Sequence, residues 1–521
     1  MALAIAAIDD PLDETAGSPM WWTRRLHGRI LARRIGLRRV KRYYKGDFQW
    51  RYADRKLRKV FGNVFYETRF GVNWMKLIVS GVQERMQIDG IRIGNKPEGD
   101  DDAWDLWQGA NLDARSAKVH QIALLYGCSY VTVWPSDDEE QPDFKIDHPA
   151  FAAVEMDPDD ELTRLAGLRM YVDVKGYLHA QLFLPDQAYF YVSPTPVTAT
   201  GSTAHEEKST MTWVVDDTVI DYGTMDNPFG VVPMIPFYNG PQSEWPGEED
   251  DRYLVERSEL WPAMPIQDAI NSVLINVLLV ANQQGFEQRW VTGLDVELDA
   301  AGRPKPPFEE GITRLWQASD KDTHFGGFQP TSPQPLLLTI DQLVRQLAAV
   351  SQIPPHYLEP QADRLSADSI RAAESGLISK LEHKQLLFGD PWEEVMRLAG
   401  LVTHNDSLAE ANAAEVMWRD PETLTMAALY DASMKSVAIG IPWRARMEKL
   451  GYTPQQIERM EEERKEDAKL NAANPDIPEQ GVISMKPPGP WETPVPPTVP
   501  PDPNQPATKN QPIPMPMPPA Q

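Results

Sequence analysis

Fifteen Lys and Arg side chains fall between Arg24 and Lys59, with Tyr43, Tyr44, Phe48, Trp50 and Tyr52 interleaved and only Asp47 and Asp54 to oppose them. Cations that neutralise phosphates, set beside rings that stack on bases, are what a surface tracking nucleic acid uses. The competing reading is a solvated basic helix that pairs with acidic residues elsewhere in the chain or with a neighbouring subunit. A nucleic-acid or subunit contact is expected through Arg33, Arg34, Arg38 and Arg39. Carboxylates cluster at Asp100-Asp101-Asp102, at Asp137-Asp138-Glu139-Glu140 and at Asp157, Asp159 and Asp160. A metal-dependent nuclease would need such acids, but no His or further acid stands beside them at a ligand-like spacing, and adjacent carboxylates in turns are ordinarily just solvated.

The nine His are scattered without partners. His205 lies beside Glu206 and Glu207 in a loop rich in Ser, Thr and Gly, and His356 follows Pro354 and Pro355, which favours a contact role over catalysis. A phosphate loop ending in Lys-Ser/Thr, GxGxxG, HExxH and GxSxG are all absent. No catalytic residue, cofactor or metal is expected, and the chain reads as a non-enzyme. The single cysteine, Cys128, sits in an apolar run and reads as a small buried hydrophobe.

The chain has 521 residues, 42% of them hydrophobic, with 16 Trp, enough to bury a sizeable core in more than one domain. Its formal net charge is −25. Wrapping nucleic acid over the whole surface is therefore excluded, whereas an acidic wall past which DNA slides is not. No run reaches the roughly 18 consecutive apolar residues that span a membrane. The stretch Met1–Ile8 lacks a preceding basic region and runs into Asp9-Asp10-Pro11, a poor secretion signal. The protein is expected to work inside a cell, or in a particle assembled there, without a membrane partner.

Stepping along the chain, residues 1–20 read as a loose arm. Helices are expected over 72–86 and 103–126, the latter closed by Gly127, with short strands around 87–94, 129–134, 154, 164–174, 178–184, 188–192, 212–215 and 231–238. This is an α+β pattern. A helix over 267–288 follows, about 33 Å long. Ile270, Val273, Leu274, Val277 and Leu278 form its apolar stripe, with further apolar flanks that call for more than one packing neighbour. Asn271, Ser272, Asn276, Asn282 and Gln283 argue against a transmembrane reading. An insert rich in Gly and Pro (290–335) leads to a returning helix (336–352) carrying Leu343 and Leu347, which Pro354 ends. A longer helix starts at Ser366, and Gly389-Asp390-Pro391 is expected to kink it or divide it in two. Ala414–Arg419 alternates like a strand, and three helices follow over 421–438, 442–450 and 454–469. From Asn471 onward 17 of 51 residues are Pro, which reads as a disordered or polyproline-like tail.

Three segments carry a family resemblance: Leu260-Trp261-Pro262-Ala263-Met264-Pro265-Ile266-Gln267-Asp268-Ala269-Ile270-Asn271 entering the long helix; Ser351-Gln352-Ile353-Pro354-Pro355-His356-Tyr357-Leu358 followed by Leu365–Arg371; and Val416–Pro421 with the later Gly440-Ile441-Pro442 and Leu450–Pro454 joints. In this order and spacing, over roughly residues 50 to 466, the chain resembles the portal proteins of tailed bacteriophages, of the siphovirus type common in phages of actinobacteria. The resemblance implies a ring, typically of twelve subunits, at one capsid vertex, through which double-stranded DNA is packaged, retained and ejected. Its implied partners are the terminase large subunit, head–tail connector proteins, and the major capsid and scaffold proteins. Assembly would take place in the host cytoplasm.

The implied map makes 50–258 an α+β wing, 259–289 a stem helix, 290–335 a small β-containing clip and 336–352 a second stem helix. A tunnel loop (353–365) would bring Pro354, Pro355, His356, Tyr357, Glu359 and Arg364 to the DNA. The long kinked helix (366–402), a return strand to the wing (403–423) and a helical crown (424–470) complete it. The N-terminal arm with its basic segment (1–49) and the tail (471–521) have no counterpart in the resemblance. A nucleic-acid-binding adaptor that forms no pore is the alternative, beside the nuclease.

Overall fold

The computed structural model describes residues 11–47, 71–94, 99–136, 141–160, 162–197, 211–217, 223–240, 257–285, 289–293, 322–327, 332–358, 367–410, 414–422, 426–452 and 454–473. Ser18 opens the first helix, α1 (Pro19–Lys45): its hydroxyl accepts from the Trp21 amide, Pro19 stands where a missing N–H costs nothing, and Gly46 closes the helix at φ +75°. Residues 1–49, expected as an arm, thus contain a long helix with a buried face. Met20, Leu26 and Ile30 enter one core cluster and Leu37, Val40 and Tyr43 another.

α2 (Met75–Gln83) and β1 (Ile88–Ile93) follow. The single helix expected over 103–126 is two, α3 (Asp101–Gly109) and α4 (Leu112–Tyr126), because Asn111 turns the backbone left-handed at φ +54°. Asn is one of the few residues that adopts this conformation at low cost, so the break was open to being read. Gly127 at φ +91° ends α4 and releases β2 (Cys128–Pro135), which pairs on one side with β3 (Pro142–Asp147).

The strands β4 (Ala152–Met156), β5 (Arg164–Val172), β6 (Leu178–Phe183), β7 (Gln187–Val192) and β8 (Val214–Val215) form an antiparallel meander, with β9 (Thr224–Asp226) also on β7. β10 (Met234–Tyr238) returns to the other side of β2.

Then come α5 (Met264–Gly285), the ladder of β11 (Arg289–Thr292) with β12 (His324–Gly327), and α6 (Gln334–Ser351). α7 (Ala367–Val402), α8 (Asp406–Ala409), β13 (Ala414–Trp418), α9 (Met426–Ile439), α10 (Trp443–Lys449) and α11 (Pro454–Ala473) complete the elements. β13 pairs antiparallel with β1 across more than three hundred residues of chain. The chain divides into two units, Met1–Glu458 and Arg459–Gln521; the second is described over 459–473, as highly charged helix.

Of the two outcomes expected at Pro391, a kink or a division, division does not occur: one helix runs from Ala367 to Val402 with Pro391 inside it. An interior proline removes one helical hydrogen bond and costs about 3 kcal/mol. The packing around it offsets this: Phe388, Trp392 and Val395, spaced i, i+4 and i+7, are fully buried in the main core with Trp107 and Phe237. Trp392 donates to His120 Nε2 at 2.9 Å, and His120 stacks on Phe388. Burial pushes the His120 imidazole down to about 3, so it is neutral in the folded protein. His27 and His148 are likewise pushed down to about 4, by burial first and then by nearby cations.

α5 is long and apolar enough to cross a membrane over Met264–Ala281, at mean hydropathy 1.5. The polar residues that interrupt its first turns are buried and bonded within the protein. Gln267 exchanges hydrogen bonds with Val72 and Trp74, Tyr43 donates to Asp268 at 2.6 Å, and Asn271 accepts from the Val72 amide at 3.1 Å. Just upstream, Glu259 meets Lys380 at 2.5 Å and Lys384 at 2.8 Å, all three side chains being 11% exposed or less. Lys380 also donates to the Ser351 carbonyl and Lys384 to the Asn239 carbonyl. Burial alone would raise the Glu259 carboxyl, but attraction and hydrogen bonds from the two ammoniums outweigh it and hold the group at about 2.

Two outcomes follow from this packing. Acid should unfold the protein through two windows. Neutral His27, His120 and His148 take up protons only on unfolding, so stability falls as pH drops from 6.5 towards about 4, and for His120 towards about 3. Glu259 stabilises fully above its ordinary value of 4.5, and that contribution is lost as pH falls from there through about 2. In denaturant titrations Glu259→Gln should cost about 3 kcal/mol at pH 7 and flatten the lower window while leaving the upper one; an unchanged lower window would contradict the assignment. Gly400→Ala places a Cβ 2.8 Å from the Ala409 amide nitrogen, backbone that cannot yield easily, and 2.9 Å from the Cβ of buried Leu408. It should cost about 1–3 kcal/mol, read as a lowered melting temperature.

Candidate functional site

The segment after α6 is built by its own backbone chemistry. Gln352 caps α6 in the left-handed conformation at φ +55°, and the Ile353 amide returns to the Ala348 carbonyl at 3.0 Å. Pro354 cannot continue the helix, and Pro355–Tyr357 forms one tight 3-10 turn. Ile353 and Leu358, buried on either side, hold the turn to the main core. Pro354 is buried, Pro355 exposed, and His356 and Tyr357 half-buried. Glu359 and Arg364 lie outside the described residues. Tyr357 donates to Glu374 of α7 at 3.0 Å, and Arg85 donates to the same carboxylate at 3.2 Å. Burial first, and the Glu374 carboxylate second, push the Tyr357 phenol up. Arg85, Glu374 and Lys380 were not singled out from the sequence. Their partners stand tens to hundreds of residues away, and no local spacing betrays them.

α5 and α6 pack along each other and are joined through the β11–β12 ladder. Of the residues expected to pack there, Ile270 and Leu347 are buried in the main core, whereas Val273, Leu274, Val277, Leu278 and Leu343 are only half-buried. Leu337, Leu338 and Val350 of α6 are 40%, 58% and 46% exposed. The ladder carries half-exposed Trp290 and Phe325. Gly326 is required there, since a Cβ would stand 2.3 Å from the Trp290 ring, and Gly293 turns the chain at φ +77°.

The basic segment divides by face. Arg33 and Arg34 are buried: Arg33 donates to the Tyr130 hydroxyl at 3.0 Å and the Ala152 carbonyl at 3.1 Å, and Arg34 to the Ala150 carbonyl at 3.3 Å. Both are corrected from nucleic-acid or subunit contacts to internal ties that hold α1 to β2 and β4, because a guanidinium buried against carbonyls cannot reach a phosphate. Arg39 lies 5.0 Å over the Trp261 ring, next to the start of α5, and Arg38 is exposed. Arg25 and Arg29 pair with Glu155. This is the intramolecular pairing with acidic residues that was one of the two readings.

The acid clusters act on their own backbone. Asp100 caps α3 by accepting from the Ala103 amide at 2.9 Å, Asp157 accepts from the Asp159 amide, and Asp160 from Leu162 and Thr163. Asp137–Glu140 lie outside the described residues. Cys128 is buried. His179 stands between Asp216 at 2.7 Å and Asp173 at 3.5 Å and is stacked on Tyr171, which places a carboxylate at each ring nitrogen. Among the described residues no group of three or more His, Cys, Asp or Glu is placed to hold a metal.

With this geometry in view, the chain can be set beside known proteins. It is 28% identical over 418 residues to the portal protein of Mycobacterium phage L5, covering 77% of this chain and 79% of the relative. To the portal protein of Mycobacterium phage D29 it is 29% identical over 418 residues, covering 77% and 80%. Among solved structures it is similar to a chain of the virion of a native gene transfer agent particle, at 11% identity and TM-score 0.39, covering 73% of this chain and 90% of that one. A chain from the neck of an empty gene transfer agent particle gives 12% identity and TM-score 0.40, covering 77% and 95%. The model for phage portal proteins of the SPP1 Gp6-like type matches residues 26–470, which takes in most of the basic helix that had no counterpart in the resemblance. The chain belongs to the SPP1 Gp6-like family of phage portal proteins, structural components of the bacteriophage virion.

Proposed function

We propose that this chain is the subunit of a ring, typically of twelve copies, at one vertex of the capsid, whose central channel carries double-stranded DNA during packaging, retention and ejection. The observation that carries the reading is the α5–α6 hairpin. Its apolar side chains lie on more than one side, and in a single chain Leu337, Leu338 and Val350 are about half exposed while Val273, Leu274, Val277 and Leu278 are only half-covered. Leaving several large apolar side chains about half in water forfeits about 1 kcal/mol each, so a neighbouring copy of the same hairpin is the natural cover. Tyr430, Met434 and Val437, spaced i, i+4 and i+7 on α9, are exposed as well and extend the proposed subunit contact.

In this reading the α5–α6 hairpin is the stem, the β11–β12 ladder with the rest of 290–335 is the clip, and 353–365 is the tunnel loop. Residues 50–258 with β13 make the wing, α7 the long helix above the channel, and 424–470 the crown. The helix α1 joins the wing, to which its buried guanidiniums already bind it. The clip, with Trp290 and Phe325 half-exposed, would dock the terminase large subunit and later a head–tail connector protein, while capsid and scaffold proteins would meet the outside of the ring. Assembly would occur in the host cytoplasm. A net charge of −25 suits a channel in which DNA slides without being held.

The purified protein should sediment as a closed assembly of many copies. The double variant Leu338→Asp with Val350→Asp should stay folded by circular dichroism, since exposed positions tolerate charge at about 0.5 kcal/mol, yet sediment as a monomer. A double variant that assembles as the unaltered protein does would show that this hairpin is not the subunit contact.

A further inference from the structure

Four segments remote in sequence meet at one guanidinium. Arg85, just beyond α2, donates to Glu374 Oε1 on α7 at 3.2 Å and to the Tyr357 hydroxyl, and its other terminal nitrogen reaches the Pro421 carbonyl at 3.5 Å. Its plane lies 5.8 Å over the Tyr357 ring. Tyr357 donates to the same Glu374 oxygen at 3.0 Å, and His356 Nε2 stands 3.9 Å from it. The Arg85 and Glu374 side chains are largely shielded from solvent.

The chemistry of the contact says what it does. Ile353 and Leu358 already hold the ends of the turn in the core, but apolar burial is non-directional and leaves the turn free to settle at more than one height along α7. A guanidinium is planar with donors at fixed angles, so its bonds to a phenol and a carboxylate allow one registration. For stability alone, apolar side chains of the same volume would serve as well as a shielded Arg–Glu pair. Directional registration is what the pair adds. The contact with Pro421 ties the same point to the chain leading into α9.

We infer that Arg85 and Glu374 are positioning residues which, through Tyr357, set the place of the Pro354–Tyr357 turn against α7 and thereby the width of the channel at its constriction. This rests on the channel reading proposed above. Neither residue touches DNA; each acts through the turn.

The test uses particles assembled with the full-length protein carrying Tyr357→Phe, which deletes only the hydroxyl, or Arg85→Lys, which keeps the charge and loses the fork. Ring formation is read by electron microscopy, melting temperature by calorimetry, and the DNA-filled fraction of particles by density. Rings should match the unaltered protein and melting temperature should fall by no more than a few degrees, while the filled fraction falls about fivefold in each variant. The two changes combined should be scarcely worse than either alone, because they break one contact. A filled fraction within about twofold of the unaltered protein, with rings intact, overturns the inference and spares the channel reading. Rings and melting temperature lost together with filling also overturn it, since that is the mark of a merely structural contact. Absence of rings from the unaltered protein overturns the channel reading, and this inference with it.

Discussion

The carboxylate of Glu259, enclosed by the ammoniums of Lys380 and Lys384, is the contact on which the rest of the geometry depends. Three buried charges are costly to dehydrate, and apolar side chains could fill the same space at no loss of stability. What the charges add is direction. Lys380 also holds the last carbonyl of α6, Ser351, and Lys384 holds the carbonyl of Asn239 just past β10. The approach to α5, the end of α6, the middle of α7 and the residue just past β10 are thus brought to one point. Without it the hairpin would have a base but no set angle.

α7 repeats the device along its length. Glu374 meets Arg85, Trp392 donates to His120, and Glu394 takes Arg164 of β5 in a two-pronged pair at 2.5 and 2.7 Å. These ties, with the buried ring stack between Phe388 and His120, make the helix a strut that survives its own Pro391. These polar ties face inward, whereas α6 and α9 carry exposed large apolar side chains and those of α5 are only half-buried. Apolar side chains left uncovered in a single copy are why the proposed function assigns these flanks to neighbouring copies.

Much of the element order could be read from periodicity and from Gly and Pro punctuation: the alternating strands, the two helices of the hairpin and the Pro-Pro stop all follow local rules. What could not be read was set by contacts distant in sequence. Pro391 is a helix breaker by local chemistry and a helix residue because Phe388 and Trp392 are anchored on both sides of it. Gln267, Asp268 and Asn271 look like interruptions of an apolar helix, yet they bind residues 72, 74 and 43. Arg33 and Arg34 look like a nucleic-acid contact from composition alone, because nothing local tells a buried arginine from an exposed one. The candidate site shows the same limit: the turn at Pro354–Tyr357 was legible, whereas Arg85 and Glu374, which hold it, lie 289 residues apart.

Imaging the purified, unaltered protein by cryo-electron microscopy tests the central claim most directly. The account predicts closed rings with a central hole, the α5–α6 hairpins side by side around it and their apolar flanks covered by the next copy. A monodisperse monomer, or rings in which those flanks face solvent away from any neighbour, would contradict it.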